Sequence, residues 1–305
     1  MTDQTICTQL QARLTAFKEE LDALELQLAH FTQSGSARES VRLKSVLQQL
    51  SEKRNTFFEE YKKQAEEVFW RWVNYEKINP LNASVTVDTD GLLKVESKSE
   101  RVNLEGDTTK PFLFLIKEAN VDKITLYKGH EHLPNLQKLS GSINTEFTSS
   151  YIYAPQLKEF GDISSIYDNL SLFFPKLEKA NAIILHTMAG YQSKLYVPSL
   201  KSIQTLSATL DVRISAPALK TVTESLIVYL SSIEKPFTAL EEVDELSLEG
   251  WDEEQVERGF PALGTVHFIR ARSSQIMEEI SSMIEKGRIN KDVIVRQIPV
   301  NESDF

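Results

Sequence analysis

The chain has 305 residues, of which 41% are hydrophobic and 26% are charged, and its formal net charge is -10. This balance is ordinary for a soluble globular protein and excludes a disordered chain, and no apolar run approaches the roughly 18 residues that span a membrane. The single cysteine, Cys7, excludes an internal disulfide and any metal site built from several cysteines.

The N-terminal residues hold no basic segment followed by an apolar core, so we expect no secretory signal peptide. Together with the single cysteine this favours the cytoplasm, although export without an N-terminal signal is compatible with the same sequence. Between Glu234 and Arg258, ten acidic residues against two basic ones leave -8 in that window and the rest of the chain close to neutral. Because no basic stripe is available to neutralise phosphates, we expect no nucleic-acid partner, and we expect no membrane partner either.

The first 78 residues predict an antiparallel helical hairpin of the coiled-coil type. A heptad seam predicts a first helix that ends near Thr32, and Ser36 with Glu39 forms a capping box for a second helix that runs to about Tyr75. The seam of the first helix alternates steps of four and three: Leu10, Leu14, Phe17, Leu21, Leu24, Leu28 and Phe31.

This hairpin is open to two interpretations. It is either an oligomerisation arm, which would give a homo-oligomer through residues 7–75, or an intramolecular hairpin that covers an edge of another domain. The aromatic residues crowded near its end, Phe69, Trp70, Trp72 and Tyr75, are typical of packing rather than of a ligand cage.

Residues 79–132 predict strands and the first coils of a second architecture. Residues 84–87 and 93–95 alternate with a period of two and are separated by Asp90 and Gly91, which predicts a β-hairpin. Further strands are predicted at 112–115 and 124–126.

From residue 133 to residue 271 a unit of about 21 residues recurs, each with a Pro-x-Leu phrase or a variant of it. Such a repeat predicts a solenoid, because no unit buries its apolar face alone and stacked neighbours form a continuous core. Proline suits the corners because it fixes φ.

Three apolar columns align in successive units. The first is Leu136, Leu157, Leu177, Leu200, Leu219, Leu240 and Leu263. The second is Leu139, Phe160, Ala180, Ile203, Val222, Val243 and Val266. The third is Ile152, Leu172, Leu195, Ile214 and Ile233.

The phrase aliphatic-Pro-x-Leu-(Lys/Glu)-x-aliphatic, repeated over about residues 133–268, resembles leucine-rich-repeat-like and receptor-L-domain-like solenoids. The resemblance implies parallel strands on a right-handed coil and an interaction surface, with no chemistry shared among the members. The predicted fold class is therefore α+β: a right-handed parallel β-solenoid preceded by a long antiparallel helical hairpin.

Residues 272–305 predict a cap for the end of the solenoid. The cap has a helix that starts at Ser273 or Ser274, a helix stop at Gly287 and a last strand at 292–295.

Nothing in the sequence predicts an enzyme, a cofactor or a metal. Phosphate loops, nucleophile elbows and kinase signatures are absent, and Asp162, Asp168 and Asp211 lie at non-equivalent points of their units. The imidazoles of His130 and His132 should lie on one side of a strand, but the sequence offers no further ligands beside them.

Two surface features are candidate binding sites. The first is an acidic group at the last units, Glu241, Glu242, Asp244 and Glu245, which is either a solvated face or a dock for a basic partner. The second is an aromatic column two residues before the prolines, formed by Tyr153, Phe173 and Tyr196, which should point outward by strand alternation. The alternative is that the corner at each proline inverts the alternation, or that the helical hairpin covers this column.

The sequence as a whole predicts a non-enzymatic protein-protein interaction or scaffold module with an unidentified protein partner. The alternative is a solenoid that binds or cleaves carbohydrate, since exposed aromatic residues also form platforms for sugar rings. A third interpretation makes the coiled coil the working part and the solenoid a passive head.

Overall fold

The computed structural model shows a helical hairpin followed by a mostly parallel β-solenoid of about six turns, which confirms the predicted fold class. It describes the residues 3–34, 37–72, 83–97, 103–106, 111–126, 130–145, 149–166, 169–187, 192–209, 211–229, 233–235, 237–248, 259–271 and 274–297.

The helical hairpin consists of α1 (Asp3–Gln33) and α2 (Ala37–Trp72), which pack along each other within one chain. Leu14 is fully buried in the predicted seam, and the seam residues from Phe17 to Phe31 are half-buried. Tyr61 and Phe69 of α2 are fully buried where the hairpin meets the solenoid. The side chain of Cys7 and all of residues 73–82 lie outside the described part of the chain.

Within the described residues, nineteen strands form two sheets, a long sheet of thirteen and a short sheet of six. The long sheet consists of β1 (Ala83–Val87), β2 (Leu93–Ser97), β3 (Asn103–Gly106), β4 (Ile116–Asn120), β5 (Lys123–Leu126), β7 (Lys138–Thr145), β9 (Glu159–Ile166), β11 (Lys179–His186), β13 (Ser202–Ala208), β15 (Thr221–Val228), β17 (Glu242–Leu248), β18 (Thr265–Ala271) and β19 (Ile294–Gln297). The short sheet consists of β6 (His130–His132), β8 (Ser149–Tyr153), β10 (Asn169–Phe173), β12 (Ser193–Tyr196), β14 (Val212–Ser215) and β16 (Ile233–Lys235). All pairs are parallel except β1 with β2, the predicted β-hairpin.

The core lies between the two sheets and contains the three predicted columns. The column from Leu139 to Val266 lies in register along the long sheet, and every member is buried. The column from Ile152 to Ile233 lies in register along the short sheet. The leucine column from Leu136 to Leu263 is buried between them.

The recurring Pro-x-Leu phrase forms the corner at which each turn passes from the short sheet to the long sheet. The leucine N–H donates a hydrogen bond of 3.1–3.3 Å to the carbonyl three residues earlier, for example from Leu157 to Ala154 and from Leu219 to Ala216. Proline therefore occupies the second position of a β-turn, where its fixed φ is favourable. Where the phrase varies, Thr238 takes that position and the bond from Leu240 to Phe237 is kept.

Two predicted strands differ from the structure. Residues 112–115 are not a strand but belong to a short helix, α3 (Pro111–Leu115), which packs against α1 and α2. Proline is favourable at the first position of a helix, and a run of four apolar residues does not distinguish a buried helix from a strand. The last strand begins at Ile294 rather than at Asp292, which lies in a turn.

The predicted capping helix is α4 (Ser274–Glu285), and it ends at Gly287 as the sequence indicates. Gly287 has φ of 69°, and the N–H of Arg288 donates a 3.0 Å hydrogen bond to the carbonyl of Met283. This is the Schellman arrangement, in which a left-handed glycine satisfies the last carbonyls of a helix.

The turn between β1 and β2 is held between the two long helices. Gly91 at this turn has φ of 77°, and a Cβ atom there would lie 2.8 Å from Leu14 and 2.9 Å from Tyr61. The Tyr61 hydroxyl donates a 2.6 Å hydrogen bond to the Gly91 carbonyl, and Arg54 donates one of 2.9 Å to the carbonyl of Thr89. The hairpin therefore covers the N-terminal end of the solenoid.

Charged side chains extend this attachment. Lys18 of α1 pairs with Asp90 at 3.1 Å, and Lys117 of β4 pairs with Asp88 at 2.6 Å. The hydrogen bond from Lys18 lowers the pKa of Asp90, and the hydrogen bond to Asp88 raises the pKa of Lys117. Both shifts stabilise the charged forms, so the turn is held by ion pairs at neutral pH.

Candidate interaction surface

The predicted aromatic column lies on the outer side of the short sheet. Tyr153, Phe173 and Tyr196 are register partners in β8, β10 and β12, and the residue before each of them is buried. Tyr153 and Phe173 are half-buried, and Tyr196 is 38% exposed. The corner does not invert the alternation, and the main contacts of the described part of the helical hairpin with the rest of the chain are with α3 and β1.

Three further rings extend the column, and the sequence analysis missed them as part of it. His132 is the register partner of Tyr153, and His130 is the register partner of Tyr151. The same alternation that places Tyr153 outward, applied two residues earlier, would have found Tyr151. We call the resulting surface the aromatic face, which consists of His130, His132, Tyr151, Tyr153, Phe173 and Tyr196.

The rings of the aromatic face lie against one another. His132 stacks on Tyr153 with centroids 5.1 Å apart and planes at 22°. Tyr151 lies 4.8 Å from Phe173, and Phe173 lies 6.0 Å from Tyr196, with the planes of each pair tilted by 37° and 32°. His132 and Tyr153 thus cover part of each other's flat faces, whereas the other pairs meet at a tilt.

The described charged side chains next to the aromatic face are basic, whereas the whole chain has a net charge of -10. Lys194 and Arg213 are exposed register partners in β12 and β14, one column away from Tyr196. Among the described side chains at outward positions of β6, β8, β10, β12 and β14, there is no carboxylate. Glu131 lies inward and is 2% exposed, at the position that Ile152 holds in the next turn.

The predicted acidic group lies on the long sheet, so the structure does not bring it together with the aromatic face. Glu242 lies 3.3 Å from His267, and Glu245 makes a two-pronged ion pair with Arg270 at 2.8 and 2.9 Å. Glu241 and Asp244 are exposed and make no ion pair with a described residue. The acidic residues between 249 and 257 lie outside the described part of the chain.

Two concave regions lie elsewhere. A polar cleft of about 380 Å³ is lined by Asp122 and Asp162, and the Asp162 carboxylate accepts a 3.1 Å hydrogen bond from the N–H of Ala182. A groove of about 660 Å³ follows α1 and α2, where the Arg13 guanidinium lies 4.5 Å from the ring of Phe57.

Neither the remaining acidic candidates nor the histidines form a metal centre in the part of the chain that the structure describes. No group of three or more His, Cys, Asp or Glu side chains there is placed to hold an ion. Asp168 lies outside the described residues, and Asp211 lies next to β14 with no ion pair to a described residue.

His186 is the histidine with the most specific environment. Its Nε2 atom lies 2.9 Å from the Oγ atom of Ser207, which is buried in the next turn of the solenoid. Burial lowers the pKa of His186, so the neutral imidazole is favoured in the folded protein. This pair joins two turns rather than lining a cleft.

No family model, curated protein or solved structure matches this chain. None of the described helices combines the length and the apolar character that crossing a membrane requires.

Proposed function

We propose that this protein is a non-enzymatic protein-interaction module and that the aromatic face is its recognition surface. The observation that carries this proposal is a set of six rings on the outer side of the short sheet, in two contacting groups: His130, Tyr151, Phe173 and Tyr196, and beside them His132 and Tyr153. Tyrosine is enriched at the energetic centres of protein interfaces, because it combines a large apolar ring with a polar end. Parallel stacking of the turns holds these side chains on a rigid support.

The ring geometry favours a protein partner over the alternative, a carbohydrate. A sugar ring binds to the open flat face of an aromatic side chain, whereas the rings of Tyr153 and His132 are stacked on each other. The tyrosines of the aromatic face combine an apolar ring with a hydroxyl, which suits side chains and backbone groups of a protein.

We also propose a leucine-rich-repeat-like scaffold in the cytoplasm, with a coiled-coil hairpin that acts within one chain. The recurring corner turns and the buried leucine column support the leucine-rich-repeat-like scaffold. The burial of Leu14, Tyr61 and Phe69 against the start of the solenoid supports a capping role for the hairpin. Solenoids need such atypical ends, because the first turn lacks a neighbour on one side.

The test compares affinity capture by the full chain and by the double variant Tyr153→Ser/Tyr196→Ser. A matched control is Tyr229→Ser, which removes a half-buried tyrosine outside the short sheet. We expect the double variant to lose a partner that the wild type and the control both retain, while its melting temperature stays within a few degrees. The captured partner is then purified and its affinity is measured by calorimetry, and equal affinity for all three chains would refute the proposal.

A further inference from the structure

Several cations of the long sheet are paired between neighbouring turns, whereas Lys194 and Arg213 of the short sheet, like Lys179 of the long sheet, make no ion pair with a described residue. On the long-sheet side, Lys94 pairs with Glu118 at 2.8 Å and Lys201 pairs with Glu178 at 2.8 Å, each between neighbouring turns. Lys138 with Glu159 and Arg270 with Glu245 follow the same rule. Lys194 and Arg213 are exposed on successive turns and make no ion pair with any described residue.

From the position of Lys194 and Arg213 beside the rings we infer that the aromatic face binds an acidic segment of a partner protein, one that also carries aromatic or aliphatic side chains. The inference rests on the proposed function and specifies the partner's chemistry. The strands that carry Lys194 and Arg213 are about 4.8 Å apart, and both residues lie next to the end of the ring column at Tyr196. Two neighbouring positive side chains that make no ion pair with a described carboxylate favour a ligand that supplies one.

The rings determine the rest of the ligand. Tyr196 and the two histidines are exposed and the other three rings are half-buried, so apolar side chains of the partner gain contact area by covering them. A nucleic acid fits the same charges less well. Its bases would need flat ring faces on which to stack, and its backbone would need more than two cations to bind at physiological salt.

The experiment uses two labelled copolymers as probes, poly(Glu,Tyr) and poly(Lys,Tyr), and measures fluorescence anisotropy with the full chain. We expect poly(Glu,Tyr) to bind more tightly than poly(Lys,Tyr), although the chain itself carries a net charge of -10. Added salt should weaken this binding, because exposed charges are screened over about 8 Å at physiological ionic strength.

Charge reversal then locates the site. Lys194→Glu/Arg213→Glu should weaken poly(Glu,Tyr) binding by roughly tenfold or more. The matched control is Lys158→Glu/Lys220→Glu, which makes the same change of charge at two exposed lysines that lie outside the strands and make no ion pair with a described residue. This control should retain most of the affinity.

The outcomes separate this inference from the proposed function. If Tyr153→Ser/Tyr196→Ser weakens the binding of both copolymers equally and charge reversal has no effect, the acidic partner is wrong and the aromatic face remains a binding surface. If neither copolymer binds, or if both charge reversals act equally, the acidic partner is also wrong. If an oligothymidylate binds more tightly than poly(Glu,Tyr) and depends on Lys194 and Arg213, the surface recognises nucleic acid and the inference is overturned.

Discussion

The hydroxyl of Tyr61 donates a 2.6 Å hydrogen bond to the carbonyl oxygen of Gly91, and this contact joins the helical hairpin to the first β-hairpin of the solenoid. The two residues are 30 positions apart, and both are buried. This contact therefore places the hairpin at the start of the solenoid, where α2 also packs against β1 and α3.

A substitution at the turn between β1 and β2 tests whether the two long helices enclose it. Gly91→Ala should lower the free energy of unfolding by about 1–3 kcal/mol, because φ of 77° is unfavourable for alanine and its Cβ atom would press against Leu14 and Tyr61. Gly264→Ala is the control, since a Cβ atom there meets nothing within 4 Å. Urea unfolding of both variants is the measurement, and equal stabilities would show that the turn is not enclosed as described.

The seam of the hairpin tests whether the two helices pair within one chain. Leu21 is half-buried between α1 and α2, so Leu21→Asp should lower the melting temperature and leave the particle mass unchanged. A decrease in mass by light scattering would instead indicate that the hairpin joins two chains.

The register of the solenoid depends on the leucine column. Leu200 is 0% exposed, and Leu200→Ala should cost about 2–5 kcal/mol because it leaves a cavity that the surrounding turns fill only in part. Leu26→Ala is the matched control, since Leu26 is 75% exposed on α1 and its loss should cost less than about 0.5 kcal/mol. A cost for Leu200→Ala as small as that of the control would remove Leu200 from the core.

The pair of His186 and Ser207 predicts a dependence of stability on pH. Burial lowers the pKa of His186 in the folded state, so between that value and the ordinary histidine pKa of about 6.5 the unfolded chain binds more protons. The free energy of unfolding should therefore fall as the pH decreases through this window. His186→Gln should make the slope shallower. Identical slopes for the wild type and His186→Gln would contradict the effect of burial.

The sequence predicted those features that repeat. The columns through Leu200 and Ile203 were found because each turn of a solenoid faces the same environment, and the corner was found because proline has one favoured place in a β-turn. The helix at 111–115 was missed because a short apolar run carries no period.

The rest could not be read from the sequence because it depends on contacts between distant residues. Lys18 and Asp90 are 72 positions apart, and nothing in either segment indicates the other. The column of Tyr153 is a different case, because His132 stands two residues before Pro134 just as Tyr153 stands before Pro155, so extending the column by one unit would have found His132 from the repeat alone. The contrast between paired and unpaired cations appears only when the neighbouring turns are known.

The central claim is that the aromatic face is where a partner protein binds, and photo-cross-linking tests it most directly. p-Benzoylphenylalanine is placed at position 196 on the aromatic face or, as the control, at position 223, which is exposed on the long sheet. We predict a cross-linked protein adduct from position 196 and none from position 223. An adduct from position 223 alone, or equal adducts from both positions, would contradict the claim.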